Sequence, residues 1–296
     1  AMKKIHDGIL GLVVGDALGV PYEFKKRGTF KAVDMVGNGT YNQQPGTWSD
    51  DSSMTLATLE SIARLGKIDP TDIMQNFSDW LNYGSFTPYG EVFDVGGGTR
   101  RAIDRFNRGV KPLECGGKSK MDNGNGALMR ILPLAFTNAG FKEIYNVACL
   151  THAHKISTDA CLIYVGIARA LIEGCGLKEA VQEGIDWAGS KVQLSEEYSR
   201  LEVIEYIKPE LIYSSGYVID TLEAALWCLY HSKNYHECVL LAVNLGEDTD
   251  TVAAVAGGLA GIIYGVEDIP IKWLAAIPRL NWIHGLCEKF ESKLSK

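Results

Sequence analysis

The sequence predicts an all-α fold, and three observations carry that expectation. Apolar residues recur at helical spacing in most long segments, convincing strand alternation is hard to find, and no fixed-period repeat is present. At 296 residues, 46% hydrophobic and 22% charged, the chain can bury a large core and contains no tract polar enough to favour disorder. With no composition break to mark a linker, one compact domain over 1–296 is the simplest account.

The first helix is expected from Ile5, Ile9, Leu10, Val13, Val14, Ala17 and Leu18. Two lysines precede this stretch as in a signal peptide, but Asp7 and Asp16 interrupt the apolar run, and Ala1 before Met2 reads as a residue left by expression. A second helix follows Asp50-Asp51, carried by Met54, Ala57, Leu59, Ile62 and Leu65. Further helical patterns cover 71–82, 99–107, 141–151, 156–173, 177–188, 219–230, 235–244, 251–264 and 283–294. The segments near 20–50, 84–98, 108–130 and 190–215, rich in Gly, Asn, Ser and Pro, are expected as long loops, where function often resides.

Charge and cysteine usage narrow the function. The net charge is −7 and the densest cationic piece is Lys25-Lys26-Arg27, so electrostatic capture of nucleic acid is not expected. The longest uncharged apolar run, Val252 to Tyr264, falls short of the roughly 18 residues of a membrane span, so no membrane partner is expected. Seven cysteines, none in a C-x-x-C pair, read as a reduced, cytoplasmic protein without structural zinc.

Two helix starts carry more oxygen than capping requires. A helix needs one oxygen-bearing N-cap, and an acid in its first turn adds a modest gain against the macrodipole. The stretch "NLGEDTDTVAAVAGGLAG" places Glu247, Asp248, Thr249, Asp250 and Thr251 before an apolar helix, and "TWSDDSSM" does the same with Ser49, Asp50, Asp51, Ser52 and Ser53. Four aspartates drawn together would repel one another unless cations lay among them, and hard divalent ions prefer such oxygens. A divalent metal site, binuclear in one reading, is therefore expected. The small residues after Asp250, among them Ala253, Gly257, Gly258 and Gly261, predict a central helix that its neighbours approach closely.

Other polar loops give weaker signals. "GDALGVPYEF" ends a helix and presents Glu23, which is either a site residue or merely solvated. In "YGEVFDVGGGTRRAI", Asp94 and Gly96-Gly97-Gly98 precede a helix start whose amides could cradle phosphate. The chain carries no G-x-x-x-x-G-K-[ST] run, so a nucleotide-hydrolysing P-loop is not indicated. "MDNGNGALMR" is either an ordinary surface turn or a ligand loop, and in "THAHK" His152 either contacts a ligand or caps a helix.

Taken in order, "GDALGVPYEF", "GTWSDDSSM", "NGNGALMR", "THAH" and "GEDTDTVAAVAGGLAG" resemble the ADP-ribosylglycohydrolase family, which includes dinitrogenase reductase-activating glycohydrolase and the ADP-ribosylarginine hydrolases. The resemblance spans nearly the whole chain. It implies a compact orthogonal multi-helix bundle with two Mg²⁺ or Mn²⁺ ions at the base of a cleft. By the family pattern Ser49, Asp50 and Asp51 match one ligand group, and Asp248, Asp250 and Thr251 the other. Ser49 stands where threonine is usual, which keeps the hydroxyl.

The implied activity is hydrolysis of the bond between an acceptor side chain, foremost arginine, and ADP-ribose, with an ADP-ribosylated protein or an ADP-ribose derivative as partner. Asp50 and Asp250 would then be catalytic as well as metal-binding, and Glu23 and Asp94 are candidates for proton transfer or orientation. Gly96, Gly97, Gly98 and Thr99 would suit the pyrophosphate; Asn123, Gly124 and His152 the ribose and phosphates; Tyr89 could close over the ligand. One alternative is an enzyme on the same scaffold acting on ADP-ribosylserine or a free ADP-ribose derivative. Another is a non-catalytic ADP-ribose-binding or structural protein. A metal-dependent phosphohydrolase would bring histidine–aspartate ligand motifs, which the acidic clusters lack.

Overall fold

Ala1, Met2, Lys3, Lys4 and Lys296 lie outside the residues described, 5–295, and with them the reading of Ala1 and of the two lysines. The computed structural model contains twelve α-helices and only isolated β-bridges among the described residues, so the fold is all-α as expected.

The first helix, α1 (Ile5–Gly19), lies against α10 (Thr249–Tyr264) along a glycine seam. A Cβ on Gly11 would sit 2.3 Å from Gly257 O, one on Gly15 2.2 Å from Ala253 O, and one on Gly261 2.1 Å from Asp7 O. The two backbones thus touch where side chains would ordinarily separate them. Each glycine costs about 0.5–1 kcal/mol of helix propensity relative to alanine, and this close packing offsets it. Tyr235 and Tyr164 donate hydroxyl protons to Gly11 O (2.6 Å) and Val255 O (2.7 Å), which satisfies their buried polar atoms.

Around this pair run α2 (Asp50–Leu65), α6 (Lys155–Ile172), α8 (Val218–Tyr230) and α9 (Tyr235–Asn244), each in contact with α10. Outside them, α3 (Pro70–Tyr83) and α12 (Leu280–Leu294) pack on α2, α7 (Leu177–Lys191) and α5 (Phe141–Cys149) on α6, and α4 (Gly97–Asn107) on α3. Local chemistry sets several ends. Asp69 caps α3 ahead of Pro70 by accepting from Asp72 N, and α2 and α3 stop at Gly66 and Gly84 in left-handed conformations.

Besides short 3₁₀ turns between the α-helices, two larger elements differ from the expected pattern. The six-residue α11 (Ile271–Ala276) was not expected, because one and a half turns carry too few apolar positions to reveal a period. The segment expected as a loop over 190–215 contains a 3₁₀ run, Glu196–Tyr206, whose buried Tyr198, Leu201 and Ile204 recur every three residues. No helix among the described residues is long and apolar enough to cross a membrane.

Candidate active site

The close α1–α10 packing brings the starts of α2 and α10 together beside the end of α1. Ser49 is the N-cap of α2, its hydroxyl accepting from Asp51 N, and Asp50 and Asp51 form the first turn. Asp248 precedes α10, and Asp250 and Thr251 form its first turn. The carboxylates interleave. Asp16, Asp51 and Asp250 bring one oxygen each within 4.8 Å of one another, as do Glu23, Asp248 and Asp250, and Asp50, Asp94 and Asp250. Asp250 belongs to all three groups and is 1% exposed.

These oxygens are incompletely satisfied by protein. Both oxygens of Asp250 and Oδ1 of Asp248 are buried without a hydrogen-bond partner; Asp248 Oδ2 accepts from Asn125 Nδ2 at 2.8 Å. Burial first, and then neighbouring carboxylates, push Asp50, Asp51 and Asp250 well above the usual carboxylate range. Buried acids in native proteins are nearly always paired or bound to metal. A cage of orphaned carboxylates fits hard divalent cations, and Asp50, Asp51, Asp248, Asp250 and Thr251 would hold them.

Ser49 lies at the same helix start as the expected ligands Asp50 and Asp51. Its hydroxyl lies 2.7 Å from Asp16 Oδ1 and 2.9 Å from Asp51 Oδ2, between two acids. Asp16 is the residue that sequence reasoning missed. Fully buried in α1, it accepts from the backbone amides and hydroxyls of Ser49 and Ser52 at 2.6–3.1 Å, and burial raises it to about 6 against the pull of those bonds. Its signal was available: an aspartate inside an otherwise apolar helix needs a buried partner, and the serine-rich start of α2 supplies it.

Above the cage opens a cleft of about 410 Å³. Glu23, Asp50, Asp94, Asp248 and Thr251 line it, as do Gly96, Gly97, Gly98 and Thr99 at the start of α4, Gly124, Gly126 and His152. Glu23 is held by a short hydrogen bond from Tyr41 Oη, and its loop is pinned to the α9–α10 turn by Phe24 N to Glu247 O (2.7 Å) and Glu247 N to Lys25 O (2.8 Å). Phe24 and Glu247 both adopt positive φ, 70° and 62°, strain that this pairing holds in place. Burial, then Asp250, Asp248 and Asp94, drive Glu23 far above the usual range; burial also raises Asp94.

His152 lines the cleft, whereas His154 is the N-cap of α6, its Nδ1 accepting from Ile156 N. Tyr89 does not line the cleft: it is 54% exposed, its hydroxyl 3.4 Å from Gln44 Oε1. Asn123 is not in the cleft lining either, its Oδ1 accepting from Ser157 N and Oγ and its Nδ2 bonded to His154 Nδ1. The asparagine that reaches the site is Asn125, through Asp248. The chain's one adjacent His-Asp pair, His6-Asp7, is outside the cleft lining, with Asp7 accepting from Val266 N at 2.8 Å.

The clustered acids and the glycine-rich cleft over them lie on an all-α scaffold, and the relatives of this chain are enzymes. The chain belongs to the ADP-ribosylglycohydrolase family, whose model matches residues 1–296. It is 33% identical over 297 residues to the ADP-ribosylarginine hydrolase Tri1 of Serratia proteamaculans (strain 568), covering 98% of this chain and 79% of that protein. It is 34% identical over 289 residues to the ADP-ribosyl-(dinitrogen reductase) glycohydrolase of Rhodospirillum rubrum, covering 93% and 91%. A solved ADP-ribosylglycohydrolase-related protein complex contains a chain that superposes with a TM-score of 0.84 at 32% identity, covering 97% of this chain and 96% of its own.

Proposed function

We propose that the protein is a divalent-cation-dependent hydrolase that removes ADP-ribose from modified arginine side chains. The observation that carries the cation dependence is the set of buried, partnerless oxygens on Asp248 and Asp250 beneath the cleft. The arginine linkage is supported by the relatives, whose names give ADP-ribosylarginine and ADP-ribosylated dinitrogen reductase as their substrates. Residues 1–296 act as one domain in this reading, and the seven free cysteines, six of them buried, support a reducing, cytoplasmic setting.

Two Mg²⁺ or Mn²⁺ ions, when bound, supply Lewis acidity that orients ribose hydroxyls and makes water a better nucleophile. The protein's own residues do the rest. Gly97 to Thr99 line the cleft at the start of α4, where helix amides lack intrahelical partners and suit the pyrophosphate, and a side chain at Gly97 or Gly98 would crowd Arg101 or His152. Gly124 and His152 suit the adjoining ribose and phosphate oxygens. Glu23 and Asp94, in the cleft lining, orient the substrate and move a proton at the glycosidic nitrogen as positive charge develops at the anomeric carbon.

The test is release of ADP-ribose from matched arginine-linked and serine-linked peptides, with Mg²⁺ and with EDTA. Cation-dependent release from the arginine peptide alone is expected. Release from serine alone would move the protein to the other linkage, and equal release in EDTA would remove the cation from the mechanism.

A further inference from the structure

Arg130 is fully buried in the 3₁₀ turn Leu128–Arg130, next in sequence to Met129 of the cleft lining. Its guanidinium carbon lies 4.8 Å from the Phe77 ring centre, and Nη2 donates to Val147 O at 3.1 Å and to Thr151 Oγ1 at 2.7 Å. Thr151 Oγ1 lies in turn 2.8 Å from His152 Nδ1. The imidazole reaches the cleft: a Cβ on Gly98 would sit 3.2 Å from Nε2, and one on Gly126 2.4 Å from Cε1. Among the described residues no carboxylate pairs with Arg130, and its Nε and Nη1 have no hydrogen-bond partner.

The chemistry of the three groups fixes the direction of this chain. A guanidinium can only donate, so Thr151 Oγ1 must accept from Arg130. The threonine proton then needs an acceptor, and His152 Nδ1 is the one within reach among the described residues. Were Nδ1 protonated, it would donate to the same oxygen and strand the threonine proton in a residue 1% exposed. Leaving a buried donor unmade is the costlier arrangement.

We infer that Arg130 is a positioning residue: through Thr151 it fixes His152 as the neutral Nε2–H tautomer, giving the cleft one uncharged N–H donor for a ligand oxygen. Burial, then Arg130, hold His152 down to about 3, in keeping with a neutral ring. A neutral donor complements the amides at the start of α4 and demands an acceptor oxygen at that point of the ligand. The identity of that ligand rests on the ADP-ribose reading above; the tautomer does not.

The first experiment is a long-range ¹H–¹⁵N correlation spectrum of ligand-free protein carrying ¹⁵N-histidine, with the His152 signals assigned by their loss in His152→Asn. An Nε2–H tautomer is expected in the wild type. Thr151→Val should mix the tautomers or reverse them, and Thr151→Ser should restore the wild-type pattern. Arg130→Met should also release the preference; if that variant does not fold, the wild-type and Thr151 spectra decide. On the arginine-linked substrate, Thr151→Val should raise KM by about 10-fold with a smaller change in kcat, the loss of one oriented hydrogen bond. An Nδ1–H ring in the wild type, or an unchanged Nε2–H ring in Thr151→Val or in folded Arg130→Met, would overturn the inference. Lack of activity on the arginine-linked peptide with the expected tautomer in place would count against the substrate reading alone.

Discussion

Thr251 Oγ1 lies 2.9 Å from Asp51 Oδ1 and 3.1 Å from Oδ2, so the first turns of α10 and α2 are joined through the candidate ligands themselves. Thr251 also lines the cleft, and its hydroxyl cannot be replaced by a methyl group without freeing that carboxylate. Thr251→Val should lower Mn²⁺ affinity about 10–100-fold with little change in circular dichroism, while Thr251→Ser stays close to wild type. Equal Mn²⁺ titration curves for Val and wild type would exclude a role for this hydroxyl.

Cation removal should register in stability. Asp250 sits in three acidic triads with both oxygens unpartnered, so the folded protein without cations carries the repulsion and the unfolded chain does not. Adding Mg²⁺ or Mn²⁺ after EDTA should raise the melting temperature progressively, with about 2.7 kcal/mol gained at a hundredfold excess over Kd. Melting curves indifferent to both additions would contradict a cage that needs charge compensation.

The α1–α10 seam also positions the chemistry. A Cβ on Gly19 would fall 2.5 Å from both N and Cα of Asp250. Gly19→Ala should therefore displace the start of α10, costing about 1–3 kcal/mol and most of the activity. In α7, Gly189 is exposed and a Cβ there meets only Leu194 Cδ1 at 3.9 Å, so Gly189→Ala should be neutral or stabilise by up to about 1 kcal/mol. Chemical denaturation of the pair measures the contrast, which equal stabilities would refute.

Glu223 in α8 gives a pH signature separate from the site. It is 4% exposed, and burial raises it from 4.5 to about 7 despite Arg200 Nε at 3.4 Å. Between those values the folded protein keeps a proton that the unfolded chain has released. Stability from this group is therefore full below 4.5 and falls as pH rises toward about 7, by about 3 kcal/mol at most. Glu223→Gln should flatten that fall in urea titrations between pH 5 and 7.5. An unchanged slope would mean that Glu223 is not protonated in the fold.

The reach of the sequence follows from what each signal measures. Long apolar periods located α1, α2, α6 and α10, because a face of four or more turns repeats enough to be seen. The excess of acids over capping need singled out Asp50, Asp51, Asp248 and Asp250 before any geometry was known. Asp16 escaped because it lies in an apolar helix more than thirty positions from its serine partners, and linear spacing does not show that contact. Asn123 and Asn125 differ by two positions in one turn, and only the fold shows that one secures α6 while the other reaches Asp248. Tyr89, named for the ligand only through the family resemblance, sits in an exposed loop outside the cleft lining, and a resemblance in motif order does not show where such a side chain lies.

The most direct measurement is equilibrium dialysis of ⁵⁴Mn²⁺ against wild type, Asp50→Ala and Asp250→Ala, with folding checked by circular dichroism. Saturable binding to the wild type that Mg²⁺ displaces, and that both folded variants lose in large part, is the predicted result. A wild type that binds no Mn²⁺, or an Asp250→Ala protein that binds as the wild type does, would contradict the central claim that these crowded helix starts form a cation site.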